Sequence, residues 1–314
     1  MKGESAFFFP SANSIKDGIS LITAVMNRPE NLEQALKNWV TFNIIDEIII
    51  VDWSSDTSLH SIVEKYQDGR IHIAVVAGQK KWILSIAFNL AARLASRSII
   101  LKMDADVKLS SGFFTKHKLV PGIFFSGNWL NHRNINELHL NGILFLFRSD
   151  FFKVNGYNEY IRTYGWDDND LYQRLTNNRL TKIDLDNDTL EHIEHSGRLN
   201  NQLKPSNLSP LPDEEFALLS TLTNRFLTET IYKWSTENVM QDFSINKDSE
   251  NLLSVKLIPG IDRTIDPEIF IEALYLSMKE RLLLSKAPFD KYELDLIKPE
   301  QLVEVYLNYF VIQP

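Results

Sequence analysis

Hydrophobic and polar positions follow two alternating patterns along the first 110 residues. One pattern spaces apolar residues three or four positions apart, as in "RPENLEQALKNWVTF", which places Leu32, Leu36, Trp39 and Val40 on one face of a helix. The other is a short apolar run rich in β-branched residues, repeated as "ISLITAV", "DEIIIVDW", "IHIAVVAG" and "SIILKMDADV". Strand-like runs that alternate with helical segments predict an α/β fold with a mostly parallel sheet and flanking helices.

The pattern changes after residue 110. "GIFFSGNWLNH" and "HLNGILFLFRSDFF" predict two further strands, and the second runs into a helix. The polar, proline-containing segment "NNQLKPSNLSPLPDEE" predicts a boundary. We therefore assign residues 1–203 to the α/β domain and residues 204–314 to a mainly helical C-terminal region, for which we expect a structural or acceptor-positioning role.

Composition and charge limit the partners and the metal ligands that the protein can have. The 314 residues carry a net charge of -8 and show no basic stripe, which argues against a nucleic-acid partner. There is no cysteine, so disulfides, thiolate zinc sites and cysteine nucleophiles are excluded, and any metal must be held by oxygen and imidazole. Without an apolar segment of 18 residues, the sequence predicts a soluble, cytoplasmic protein whose contact with a membrane, if any, is peripheral.

Acidic residues stand where two predicted strands end. Asp104 and Asp106 follow "IILKM", and Asp52 ends the second strand. In open α/β sheets, ligands bind outside the carboxyl ends of the strands. An Asp-x-Asp pair there suits Mg²⁺ or Mn²⁺, which prefer oxygen ligands and keep positions open for a diphosphate. Asp52 taken alone is better explained as a turn former.

Two later segments add candidate chemistry. "WDDND" places Asp167, Asp168 and Asp170 in the first turn of a predicted helix, more acid than helix capping requires, and offers a general base. "LEHIEHSGR" carries His192 and His195, and an imidazole can join carboxylates on Mn²⁺. A histidine considered by itself is more often structural.

Taken in order, several motifs resemble those of the GT-A glycosyltransferases. The likeness is to the β-1,4-galactosyltransferase type and to related family 2 enzymes such as the chondroitin-polymerase domains. It covers about residues 18–200 and does not extend to the C-terminal third. The motifs that carry it are "VMNR", "VDWSS", "FNLA", "KMDADV", "NGILFLF", "NGYNEYIRTYGWDDNDLYQRL" and "HIEHS".

The resemblance implies roles for single residues. Asp104 and Asp106 match the family's Asp-x-Asp motif and, with His195, its metal ligands for Mn²⁺ or Mg²⁺, while Asp168 matches the catalytic base. His192 then becomes a residue that tunes the choice of cation. The positions that the resemblance assigns to the donor nucleotide sugar are Asn27, Arg28, Asp52, Asn89, Asp104, Tyr164, Trp166 and Asp167.

The sequence also departs from the family pattern. Trp166 and Asp167 in "YGWD" stand where the family has a glycine and a glutamate, so a bulky indole replaces bare backbone. "NGILFLF" keeps one glycine of the usual pair. These departures affect how the acceptor and the donor sugar are gripped.

The implied activity is metal-dependent, inverting transfer of a hexose or N-acetylhexosamine, with galactose favoured, from a UDP-sugar to a hydroxyl of a glycan or glycoconjugate, as in polysaccharide biosynthesis. Two alternatives stay open. A sugar nucleotidyltransferase would require a glycine-rich basic loop near the first strand, and "TAVMNRPEN" has no glycine. A catalytically inactive module that binds a nucleotide or a glycan is the other alternative. The oligomeric state also stays open.

Overall fold

Strands from both ends of the chain form one large sheet. The computed structural model describes residues 9–11, 14–194, 206–260, 262–285 and 287–311. In this part of the chain nine strands pair in the order β10-β11-β3-β2-β1-β4-β7-β6-β8, and a separate small sheet joins β5 to β9. The strands are β1 Lys16–Val25, β2 Glu47–Trp53, β3 Ile71–Val76, β4 Arg97–Lys102, β5 Val107–Leu109, β6 Ile123–Ser126, β7 Leu144–Phe147, β8 Thr181–Asp184, β9 Leu190–His192, β10 Phe243–Lys247 and β11 Leu252–Leu257.

The centre of the sheet is parallel. β1 pairs in parallel with β2 and β4, β2 pairs in parallel with β3, and β7 runs antiparallel to β4. The register places Asp52 opposite Val25 and Lys102 opposite Ile22. The carboxyl ends of β1, β2 and β4 therefore meet at one edge, where ligands bind in this class of fold. The predicted α/β fold with a mostly parallel sheet is confirmed.

Helices cover both faces of the sheet. Ile49 and Val51 of β2 belong to the buried cluster that includes α3, whereas Ile48 and Ile50 belong to the cluster that includes α1. A strand buried on both faces needs apolar residues at consecutive positions, which explains the unbroken run "EIIIV". The helices are α1 Pro29–Trp39, α2 His60–Glu64, α3 Leu84–Leu94, α4 Phe113–Lys116, α5 Arg148–Lys153, α6 Asp167–Asn177, α7 Asp213–Thr230, α8 Pro267–Leu284, α9 Lys291–Leu296 and α10 Pro299–Val311.

The C-terminal region is mainly helical, as predicted, but it also contributes to the large sheet. Helices α7 to α10 pack around a third apolar cluster, which includes Leu219, Met278 and Leu302. Between α7 and α8 the antiparallel pair β10 and β11 adds to the sheet, with β11 parallel to β3. This hairpin was not predicted, because "FSINK" and "LLSVKL" mix polar with apolar residues and lack the continuous apolar run of the central strands. The division at residue 203 stays a prediction.

No described helix combines the length with the apolar composition that a membrane crossing requires.

Candidate active site

The small sheet brings the Asp-x-Asp segment and the late histidine segment together. β5 and β9 pair so that Val107 lies opposite His192, and the backbone N–H of Ile193 donates to the carbonyl of Asp106 at 2.6 Å. As a result, Nε2 of His192 lies 3.8 Å from Oδ2 of Asp106. Residues more than 80 positions apart thus meet beside the end of β4. His195, the predicted third metal ligand, lies outside the described residues.

The donor chemistry at this edge fits a hard divalent cation. Asp104 and Asp106 offer two carboxylates on one short turn, and the imidazole of His192 lies beside the second. Burial raises the pKa of Asp104, and the neighbouring ammonium of Lys102 opposes this effect only in part. A cation bound beside Asp104 would therefore stabilise its carboxylate further. Among the described residues, no group of three or more acidic or histidine side chains is arranged to hold a metal ion.

A buried lysine joins the two acidic segments. Lys102, the last residue of β4, is 1% exposed. Its Nζ lies 2.9 Å from Oδ1 of Asp104, 3.7 Å from Oδ1 of Asp168 and 2.5 Å from the carbonyl of Gly142. Burial lowers the pKa of Lys102, but the attraction of Asp104 and Asp168 outweighs it, so the net pKa is raised and the ammonium stays charged. Lys102 was not among the predicted site residues, although a lysine inside the apolar run "IILKM" is an unusual feature.

The three aspartates at the start of α6 have different environments. Asp168 accepts a hydrogen bond from Oη of Tyr157 at 2.9 Å, and it faces Lys102. Asp167 accepts from the backbone N–H of Asp168 at 2.8 Å, and burial together with the Asp168 charge raises the pKa of Asp167 to about 7. Asp170 instead pairs with Arg174 at 2.6 Å. Of the three, Asp168 is therefore the carboxylate at ion-pair distance from Lys102, which also contacts Asp104.

The loops after β1 and β2 are tied together at the same sheet edge. Asn27 has a left-handed backbone with φ of 56°, and its Oδ1 accepts from the backbone N–H of Asp56 at 2.7 Å. Asp52 is buried and accepts from the backbone N–H of Ser55 at 2.9 Å, which is the geometry of a turn former. Arg28 lies directly before α1. The structure thus gathers the predicted donor-side residues of both loops.

Asn89 has a different position from the one expected for a donor contact. It is fully buried in α3, where its Oδ1 accepts from the backbone N–H of Tyr157 at 2.8 Å. Its Nδ2 donates to the carbonyl of Tyr157 at 3.0 Å and to Oε1 of Glu159 at 2.9 Å. Because protein groups occupy both ends of the amide, this geometry gives no support to the predicted contact with the donor. Asn89 instead fixes Tyr157, which in turn holds Asp168.

Tyr164 and Trp166 lie half-buried in the loop that leads into α6. Trp166 directly precedes the helix and has a left-handed backbone with φ of 69°. The predicted aromatic platform is therefore adjacent in sequence to the acidic turn that carries Asp168.

The surroundings of Gly142 explain why the single glycine of "NGILFLF" is required. A Cβ at this position would lie 2.5 Å from Oδ2 of Asp104 and 2.8 Å from Nζ of Lys102. We expect Gly142→Ala to displace both charged groups and to lower kcat/KM about tenfold or more, because an error of about 1 Å in a reacting group costs up to 10²-fold. Steady-state assays test this expectation. Gly69→Ala, where nothing lies within 4 Å of the added methyl, is the matched control, and equal activity of both variants would contradict it.

Comparisons with known proteins agree with this architecture. Residues 20–118 match the family model described as glycosyl transferase family 2, and residues 130–196 match the model described as the N-terminal domain of galactosyltransferase. No curated protein matches the chain in a sequence search.

Solved structures show the same fold at low sequence identity. The catalytic domain of Drosophila β1,4-galactosyltransferase 7 in complex with xylobiose is 14% identical, with a TM-score of 0.51 over 78% of this chain and 95% of that one. A mutant of that enzyme in complex with manganese, UDP-Gal and xylobiose has the same identity and coverage and a TM-score of 0.50. The two family-model matches and the shared architecture show that the chain has a GT-A fold and is similar to glycosyltransferases of the β-1,4-galactosyltransferase and family 2 group.

Proposed function

We propose that the protein is a metal-dependent, inverting glycosyltransferase that moves a hexose or N-acetylhexosamine, with galactose favoured, from a UDP-sugar to a hydroxyl of a glycan or glycoconjugate. One observation carries the proposal: the carboxylates of Asp104 and Asp168 lie on either side of one buried ammonium, that of Lys102, at the ligand-binding edge of the sheet. Asp104, which we assign to the metal, and Asp168, which we assign as the general base, therefore lie in one site. The Drosophila enzyme, whose complex contains manganese and UDP-Gal, supports the choice of donor.

Asp104 and Asp106, with His195, are the residues that would hold Mn²⁺ or Mg²⁺. When bound, the cation neutralises the negative charge of the departing diphosphate. Asp52 lies near the carboxyl end of β2, and Asn27 and Arg28 follow β1, on the side that we assign to the nucleotide.

Asp168 acts as the general base in this proposal. Its Oδ1 accepts from Tyr157 Oη, so its Oδ2 is the oxygen that takes the proton of the acceptor hydroxyl. The hydroxyl oxygen forms a bond to the anomeric carbon from the side opposite the leaving group, and the bond from that carbon to the diphosphate breaks, so UDP leaves with the electron pair. Burial and the Asp168 charge raise the pKa of Tyr157 well above its ordinary value, so Tyr157 stays a neutral donor throughout.

Calorimetric titration of UDP-sugars and GDP-sugars tests the donor site. Wild type is expected to bind one UDP-sugar in a manner that depends on Mn²⁺, and Asp106→Ala is expected to lose that dependence, because the carboxylate nearest His192 is removed. Asp17→Ala, at an exposed aspartate on β1, is the matched control and should bind as wild type does. If folded wild type binds no nucleotide sugar, the proposal is wrong and a binding module without transfer activity takes its place.

A further inference from the structure

The loop before α6 holds a bulky residue in a conformation that favours glycine. Trp166 has φ of 69° and ψ of -14°, and it follows Gly165, whose φ is 88°. A side chain with a Cβ is strained in the left-handed region, and such strain persists only where the surroundings enforce it. Trp166 makes no side-chain capping bond to α6, and contacts that restrain the loop come from another helix.

Helix α7 of the C-terminal region supplies those contacts. Nδ2 of Asn224 donates to the carbonyls of Gly165 at 2.8 Å and Tyr164 at 3.1 Å, and its Oδ1 accepts from Oγ1 of Thr163 at 3.0 Å. Ser220, one helical turn earlier, donates to the carbonyl of Tyr164 at 2.8 Å. Both side chains are buried and lie on one face of α7. The amide of Asn224 therefore fixes three consecutive residues of the loop.

Packing strengthens the same junction. A Cβ at Gly165 would lie 2.0 Å from Oγ1 of Thr221, so α7 and the loop are in direct contact there. The guanidinium of Arg225 lies 5.8 Å from the centre of the Trp166 ring and pairs with Glu280 of α8 at 2.5 Å. The loop therefore rests against a pair of helices that are themselves locked together.

We propose that Asn224 is a positioning residue of the active site: it fixes the left-handed turn at Trp166, and through that turn it sets the indole and, two residues later, Asp168. The catalytic part of this inference rests on the proposed function, in which Asp168 is the base. Asn224 lies outside both segments matched by the family models, the later of which ends at residue 196. Helix α7 then contributes to the geometry of the active site as well as to the stability of the fold.

A double-mutant cycle tests the inference. The variants are Asn224→Ala, Trp166→Gly and the two combined, and each is assayed for kcat, for KM of the acceptor, for donor affinity and for the unfolding midpoint. Glycine adopts the left-handed conformation without strain, so the turn no longer needs Asn224 once Trp166 is replaced. We expect Asn224→Ala alone to lower kcat/KM for the acceptor about 10- to 100-fold. In the Trp166→Gly background the same change should cost less than about threefold.

Thr223→Ala is the control for general damage to α7. Thr223 is equally buried, but its Oγ1 bonds within the C-terminal helices, to the carbonyl of Leu219 at 2.8 Å and to Ser277 at 3.2 Å, and not to the loop. It should leave kcat/KM unchanged. Ser220→Ala removes the hydrogen bonds from Ser220 to the loop, to the carbonyl of Tyr164 at 2.8 Å and to Oγ1 of Thr163 at 3.3 Å, and replaces Asn224→Ala if that variant does not fold.

Two outcomes would overturn the inference. One is an equal loss of kcat/KM from Asn224→Ala in both backgrounds, and the other is a loss no larger than that from Thr223→Ala. If wild type transfers no sugar, the proposed function fails, and the unfolding midpoints alone decide the positioning. Non-additive shifts between Asn224 and Trp166 would support the structural part of the inference, and additive shifts would overturn it.

Discussion

Asp168→Asn is expected to lower kcat about 10²- to 10⁴-fold and to leave the affinity for the donor nearly unchanged, which is the contribution of a general base. The amide has the size of the carboxylate, and its oxygen still accepts the hydrogen bond from Tyr157, so the turn at the start of α6 should keep its geometry. What is lost is the oxygen that takes the proton. Initial rates at saturating donor and acceptor, combined with titration of the nucleotide, separate chemistry from binding.

The control for this substitution is Asp17→Asn, the same chemical change at an exposed aspartate of β1. Its rates should equal those of wild type. Normal turnover by Asp168→Asn would assign the base to another group, and a parallel loss of donor binding would mean that Asp168 holds the nucleotide.

Arg263→Met is expected to lower the free energy of unfolding by about 3–5 kcal/mol, because it leaves a buried carboxylate without its cation. Glu159 is fully buried, and Arg263 is 5% exposed. Oε2 of Glu159 accepts from Nε of Arg263 at 3.0 Å and from the backbone N–H of Gln241 at 2.8 Å, while Oε1 accepts from Asn89. The pair thus joins α3 and the loop before α6 to the segments on either side of β10 and β11. Denaturant unfolding measures the change.

Two further variants test whether the loss of stability comes from the unpaired charge of Glu159. Glu159→Gln combined with Arg263→Met removes both charges, so the double variant should be more stable than Arg263→Met alone. Lys65→Met breaks an exposed ion pair with Glu33 and should cost less than about 1 kcal/mol. A loss from Arg263→Met no larger than that from Lys65→Met would show that Glu159 does not depend on this cation.

The local pattern of the chain was enough to predict the α/β alternation and the place of the main acidic groups. Asp52, Asp104 and Asp106 follow apolar runs that can be recognised within ten residues, and parallel pairing then brings strand ends to one edge. The acidic start of a helix indicated the cluster of Asp167, Asp168 and Asp170 in the same way, and the family resemblance then singled out Asp168. None of these inferences required knowledge of which distant segments are in contact.

Contacts between distant segments decided the rest. Asn89 matches a family motif, but its side-chain amide is hydrogen-bonded to the backbone of Tyr157, 68 residues later. Lys102 contacts Asp168 because α6 packs beside the end of β4, and β11 pairs with β3 across more than 170 residues of chain. Asn224 meets Gly165 at a separation of 59 residues. The sequence by itself determined the elements and the chemistry at their ends, because these depend on neighbours along the chain. The tertiary structure alone decided which buried polar groups satisfy each other, because that depends on packing in space.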